Sequence, residues 1–315
     1  MAFYSPDAAM GQVLTSLATR AGAGEADGAA KDLAITWIRY PRSLLPDGGA
    51  AVPVDGHMAG GLQGGGAGPA GRGASWQGGR LQDPGDLVQL MYLIAAERWL
   101  QRDLLPEEAE LRRALEAMVR EGSHDATSFV VDRLSGTTSG PSLPPHRWEA
   151  WREQRQLVGG WLASLGWPEL AGCQALQKTW NDGPYGRERE GFGEAGEWGN
   201  RCSSEGLARL LEAVLAGTLI SPPACQRLRG LLADPVIPAG PTALHSALGP
   251  ARGALWGMAR SGSRGIRLAL YAEAADATPT LLVLLAGAEW AASSRGAVVG
   301  RLVELLCSER MAAAG

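Results

Sequence analysis

The chain has 315 residues, 45% of them hydrophobic and 20% charged, with a formal net charge of −4. That is material for one large globular domain or two small ones, and with no basic stripe it excludes a nucleic-acid binder. The opening MAFYSPDAAMGQVL lacks a basic region followed by an apolar core, so no secretory leader is expected. Cys173, Cys202, Cys225 and Cys307 lie far apart without metal-ligand spacing. They are expected to be free, buried thiols in a reducing cytoplasm, with no metal and no cofactor.

In chain order, Met10, Val13, Leu14, Leu17 and Ala18 give Pro6–Arg20 the spacing of an amphipathic helix. Asp32–Tyr40 (DLAITWIRY) is β-branched and aromatic and reads as a strand. Glycine, at 44 residues about twice its usual ~7% share, clusters in Met58–Gly79. With neither a GxxxxGK[ST] pattern nor a strand–loop–helix context, this stretch reads as a flexible surface insertion. Arg80–Arg102 is the most apolar long segment. Asp83 is a candidate N-cap with Pro84 at the first helical position, and Asp86 could complete a capping box. Leu87 to Ile94 are apolar on nearly every face, interrupted only by Gln89, so this helix should run through the middle of a domain. It is too short and too flanked by charge to span a membrane. Further helices are expected at Pro106–Glu121, Asp125–Leu134, His146–Leu165 (Trp-rich), Ser203–Ala216 and Pro222–Leu232, with an irregular polar stretch at Gln177–Trp198. Ala254–Ser261, Ile266–Glu273 and Thr280–Ala286 read as a strand meander, and Ser293–Arg310 as a closing helix.

This order predicts an α+β protein in which one antiparallel sheet is built from both chain ends and flanked by helices, with an all-helical lobe beside it. Residues 1–57 and 236–315 would form the α/β lobe, 58–79 the insertion and 80–235 the helical lobe. A cleft between the lobes would face the N-terminus of the central helix, a favoured place for a ligand.

Three stretches, Pro84–Trp99 (PGDLVQLMYLIAAERW), Asp125–Pro141 (DATSFVVDRLSGTTSGP) and Gln177–Arg189 (QKTWNDGPYGRER), resemble the class A β-lactamase and penicillin-binding protein superfamily. They look closest to the β-lactamase-related serine hydrolases of cyanobacteria, with weaker support from Asn200–Leu211 and Leu255–Glu273. The resemblance implies a β-lactamase/transpeptidase-like fold. In that family a Ser-x-x-Lys at the start of the central helix supplies the acylated nucleophile and its base. Here Asp86 and Gln89 stand at those positions, and neither preserves the reaction. At the Ser-x-Asn motif stand Gly122-Ser123-His124. At the Lys-[Ser/Thr]-Gly motif the gapless alignment places Met258-Ala259-Arg260 and is preferred. A shift of two residues gives Arg260-Ser261-Gly262, whose cation could still attract a carboxylate. The deacylating glutamate has no recognisable counterpart, although Asp182 and Glu188 lie in the comparable segment. Tyr185, Arg187, Trp256 and Arg260 are candidate ligand contacts.

Each of these residues also has a plain structural reading. Asp86 reads as half of a capping box with Asp83, Ser123 as the cap of the next helix, Arg260 as a solvated strand end, and Arg187 as an ion-pair partner of nearby glutamates. The leading expectation is a catalytically inactive member of this fold, retained to bind a protein partner or a small carboxylate-bearing ligand, with no role on membranes or nucleic acid. One alternative is an active cytoplasmic hydrolase using Ser123 or Ser261 with His124. The other is a scaffold protein presenting the tryptophans of His146–Trp167 or the glycine-rich loop.

Overall fold

In the sequence LAITWIR, strand β2 (Leu33–Arg39), the side chains alternate between two buried faces. Leu33, Ile35 and Trp37 join one apolar cluster, and Ala34 and Ile38 join another. A strand buried on both faces needs cover on both sides. The computed structural model supplies it, describing residues 3–19, 32–46, 70–193, 196, 198–237, 254–262, 265–274 and 277–288. The expected closing helix at 293–310, the first part of the glycine-rich stretch (58–69) and Cys307 fall outside these residues.

The sheet holds β1 (Ser5–Pro6), β2, β3 (Arg72–Trp76), β4 (Ala254–Gly262), β5 (Gly265–Ala274) and β6 (Ala277–Ala286), in the order β1-β3-β2-β6-β5-β4. All pairs are antiparallel except the short β1–β3 pair. Strands from both ends of the chain meet at β2 and β6, where Thr36 pairs with Val283. Helix α1 (Ala8–Ala18) packs on one face. Its N-cap Asp7 accepts from the amides of Ala9 (3.0 Å) and Met10 (3.1 Å) and pairs with Arg72 on β3 at 3.1 Å. Strand β3 corrects the expectation that 58–79 is flexible throughout. Its glycine is a packing requirement, because a Cβ on Gly73 would come within 2.5 Å of the Trp37 carbonyl oxygen.

On the other face lies α2 (Val88–Gln101), with every residue from Val88 to Glu97 buried. It starts later than Asp83 and Pro84 suggest. Gly85, at φ +53°, breaks the right-handed path, and a 3-10 turn over Gly85–Leu87 precedes the helix. Asp83 caps that turn by accepting from the Gly85 amide at 2.8 Å, so Asp86 is not the third residue of a capped α-helix. Around α2 stand α3 (Ala109–Arg120), α4 (His124–Ser135), α5 (Pro145–Arg155), α6 (Leu157–Ser164), α7 (Gly186–Phe192), α8 (Ser204–Leu215) and α9 (Pro222–Leu232). The single helix expected at 146–165 is two, broken at Gln156, and the irregular stretch contains α7. Several tryptophans serve the interior. Trp151 is buried beside Trp148 and Trp198, and Trp161 meets Trp99 edge-on at 5.6 Å. Glu97, buried in mid-helix, is neutralised by Arg112 of α3 and by Arg227 of α9 at 2.9 Å. The central helix is thus tied to two of its neighbours by charge as well as by packing.

Candidate functional site

The break at Gly85 leaves the N-terminal end of α2 facing a cleft with two adjoining hollows, of about 380 Å³ and about 780 Å³. Gly85, Asp86, Trp180 and Gly183 line both. The first hollow is walled by Gln82, Thr179, Phe192 and Asn200, the second by Arg120, His124, Asp182, Arg260, Ser261 and Arg267. Their volumes suit a small molecule.

At the junction of sheet and helices, Arg260 reaches from the end of β4 across to α2. Its Nη2 donates to Gln89 Oε1 at 3.0 Å and to the carbonyls of Met118 (3.3 Å) and Val119 (2.7 Å). Nη1 donates to the carbonyl of Ala259 at 3.0 Å. Gln89 Nε2 in turn donates to Thr127 Oγ1 at 2.9 Å, and that hydroxyl donates to the Ser123 carbonyl at 2.7 Å. The guanidinium also covers Gly122, where an added Cβ would lie 3.2 Å from Arg260 Nε. Burial makes Arg260 easier to deprotonate, and the negative charge of Asp86 acts in the opposite sense. Asp86, Gln89, Gly122 and Arg260 therefore share one place, and Arg260 is not a solvated strand end.

Met258 is not brought there. It is buried in the core two residues earlier on the same face of β4, and so stops short of the cleft. On β4 it is Arg260, two residues further along, that reaches Gln89. Trp256 is also outside the cleft, tilted against Tyr271 with ring centres 6.0 Å apart. Arg187 braces a neighbouring loop by donating to the carbonyls of Pro141 (3.0 Å) and Thr138 (3.3 Å), so it neither lines the cleft nor pairs with the glutamates beside it. Tyr185 is exposed and packs edge-on against Trp180.

Ser123 has the structural role open to it. Its hydroxyl caps α4 by accepting from the Ala126 amide at 3.2 Å. The adjacent His124 turns its Nδ1 to Thr179 Oγ1 at 2.6 Å, across the cleft floor. Ser261 lines the larger hollow.

At the wall of the smaller hollow, which Lys178 lines, sits a set of charges not assigned from sequence. Lys178 Nζ donates to Asp132 Oδ2 (2.7 Å) and Ser139 Oγ (2.8 Å). Arg155 pairs with Glu188 and reaches Asp132 Oδ1 at 3.4 Å, and Ser139 Oγ donates to Glu188 Oε1 at 2.9 Å. Burial favours the neutral form of both Lys178, pushed down, and Asp132, pushed up, while their mutual contact opposes both shifts. Asn200 continues the same wall, accepting from the amides of Leu176 and Gln177 at 2.8 Å and donating to the Gln177 carbonyl at 2.9 Å. The one sequence signal for this cluster is the rarity of lysine in the chain.

Among the described residues, no group of three or more His, Cys, Asp or Glu side chains is placed to hold a metal ion, and no helix is long and apolar enough to cross a membrane. The cleft offers cationic, carboxylate, amide and aromatic groups for binding. The start of α2 itself carries no serine or lysine, while Lys178 lines the smaller hollow and Ser261 the larger.

A scan against protein-family models finds no match to the sequence, and a search of curated proteins finds none either. Solved structures do match. A β-lactamase from Sphaerobacter thermophilus superposes with a TM-score of 0.60 at 12% identity, covering 95% of this chain and 96% of that one. A β-lactamase from Chitinophaga pinensis gives 0.58 at 13% identity over 94% and 97%. An ancestral class A β-lactamase of Gram-negative bacteria gives 0.57 at 13% over 94% and 98%. With the six-stranded sheet, the buried central helix and the cleft at its tip, these likenesses identify the chain as an α+β protein of β-lactamase/transpeptidase-like fold.

Proposed function

We propose that this chain is a β-lactamase-like protein that has lost serine acyl transfer and is retained to bind a small carboxylate-bearing ligand or a protein partner in the cleft. The observation that carries the reading is the convergence of Asp86, Gln89, Gly122 and Arg260 on one point. In this reading Arg260-Ser261-Gly262 stands at the Lys-[Ser/Thr]-Gly position, and Asp86 and Gln89 stand where the nucleophile and its lysine would be. An acyl enzyme needs a nucleophile that a neighbouring base can deprotonate and that forms a durable ester. A carboxylate at 86 would give a labile anhydride, and the Gln89 amide is no base. Lys178, the one lysine among the described residues, is held by Asp132 and Ser139. The chain would work in the cytoplasm, apart from nucleic acid and membranes. Its nearest kin would be the cyanobacterial type of β-lactamase-related hydrolase, and its cleft would lie between an α/β lobe (1–57 and 236–315) and a helical lobe (80–235).

The test is labelling of the purified protein with a fluorescent penicillin and a fluorophosphonate. No covalent label is expected, and active-site-directed labelling would overturn the reading. A second reading, an active hydrolase with a relocated serine, is favoured by one observation: Ser261 and His124 line the same hollow. It requires ester turnover that Ser261→Ala abolishes, and a silent ester and amide panel would remove it.

A further inference from the structure

Cys173 and Cys202 lie 29 residues apart in the chain, yet their sulfurs are 3.4 Å apart in the interior. The backbone explains the meeting. Gln174 and Arg201 exchange both of their hydrogen bonds, Gln174 N to Arg201 O at 2.7 Å and Arg201 N to Gln174 O at 3.0 Å. Stepping back one residue on the first segment and forward one on the second makes Cys173 and Cys202 directly opposed. Cys202 spends its own amide and carbonyl on Gln82, at 2.9 and 3.1 Å, on its other side. The cysteines thus form a non-hydrogen-bonded antiparallel pair. In such pairs the Cα atoms approach to about 4.5 Å, inside the roughly 4.4–6.8 Å window that a disulfide bridges without backbone movement.

We propose that Cys173 and Cys202 are a disulfide-forming pair that staples the cleft wall when the chain meets a low-molecular-weight disulfide. The ring closed by the bond would contain Thr179, Trp180, Phe192 and Asn200, so oxidation would fix the wall of the smaller hollow. Cys173 is the attacking sulfur, being 6% exposed where Cys202 is fully buried. The neighbouring Cys202 thiol, donating to it, holds the Cys173 thiol below its ordinary range. The Cys173 thiolate attacks the small disulfide, forming a mixed disulfide and expelling one small thiolate. Cys202 then loses its proton, attacks the Cys173 sulfur and expels the second small thiol. Two cysteine thiols are oxidised by two electrons and one small disulfide is reduced to two thiols.

The experiment incubates the purified full chain with oxidised glutathione under native conditions, alkylates it in denaturant and maps tryptic peptides. Free thiols should fall from the sequence's four cysteines by two, and peptides 156–178 and 202–209 should appear linked until reductant is added. Thermal stability should rise by on the order of 5–10 °C, and Cys173→Ser should abolish both changes. Four alkylatable cysteines after oxidation, a lasting glutathione adduct on Cys173, a bond to Cys225 or Cys307, or a linked chain of unchanged thermal stability would overturn the proposal.

Discussion

Glu188→Ala tests what holds the cleft wall in place. Glu188 and Arg155 have no exposed side-chain surface, and Lys178 is almost as deep. Two cations, Arg155 and Lys178, are balanced there by two carboxylates, Glu188 and Asp132. Removing Glu188 leaves both cations sharing Asp132 and takes from Ser139 the acceptor of its hydroxyl. Breaking a buried pair on one side costs about 3–5 kcal/mol, because an uncompensated charge remains. For a chain of this size that is a fall in melting temperature on the order of 10 °C, measured by urea titration and thermal melting. Glu188 Oε2 and Arg155 Nε have no hydrogen-bond partner, so the pair is imperfectly satisfied even when intact. Replacing both partners with apolar residues, Arg155→Met with Glu188→Leu, should therefore cost less than Glu188→Ala alone. A loss below about 1 kcal/mol for Glu188→Ala, the worth of an exposed pair, would refute the assignment of this cluster as the anchor of α7 and the wall.

Further outcomes follow from other buried groups. Glu212 is pushed up from 4.5 to about 6, first by burial and against the pull of Arg209 at 3.0 Å. The folded state therefore holds this proton more tightly than the unfolded one, and stability should fall by about 2 kcal/mol as pH rises from near 4.5 past 6. Glu212→Gln, measured by denaturation across that range, should remove most of this fall. Gln89→Lys would set an ammonium group against the Arg260 guanidinium in a fully buried position and should destabilise by about 2–4 kcal/mol; a variant as stable as the parent would mean Arg260 is not held there. Gly122→Ala, at φ +68° and under the same guanidinium, should cost about 1–2 kcal/mol by denaturation.

The features legible in the sequence were those written in local pattern. An apolar run without a polar face could only be a buried helix, and α2 is one. The strand meander near the end was readable from its apolar runs and the short Gly or Asp turns between them, and the Ser123 cap from its position before α4. Misread features depended on distant partners. The glycine of β3, Gly73, looked like loop composition because its purpose, room for Trp37 and Ile38, lies on another strand. The start of α2 was displaced by a positive φ at Gly85 that no propensity reveals. Met258 and Arg260 share a face of β4, so period-two alternation could not choose between them; only the distance along the strand to Gln89 does. Cys173 and Cys202 carried no motif, and the ladder that opposes them is made by Gln174 and Arg201.

The residues at the tip of α2 fit one another. Arg260 presents a planar, multi-donor cation where a lysine would present a point charge, and it uses that geometry on Gln89 and two carbonyls of α3. A lysine at 89 would face that cation, whereas glutamine gives it an acceptor and still donates to Thr127. A serine at 122 would place its Cβ against the same guanidinium at a backbone angle that L residues resist, and glycine avoids both conflicts. Asp86 then supplies a negative charge near the arginine, stabilising in the cleft the cation that the other two changes accommodate. A lysine introduced at 89 would set two buried cations together. The tip of α2 is thus a self-consistent constellation in which Asp86, Gln89, Gly122 and Arg260 accommodate one another.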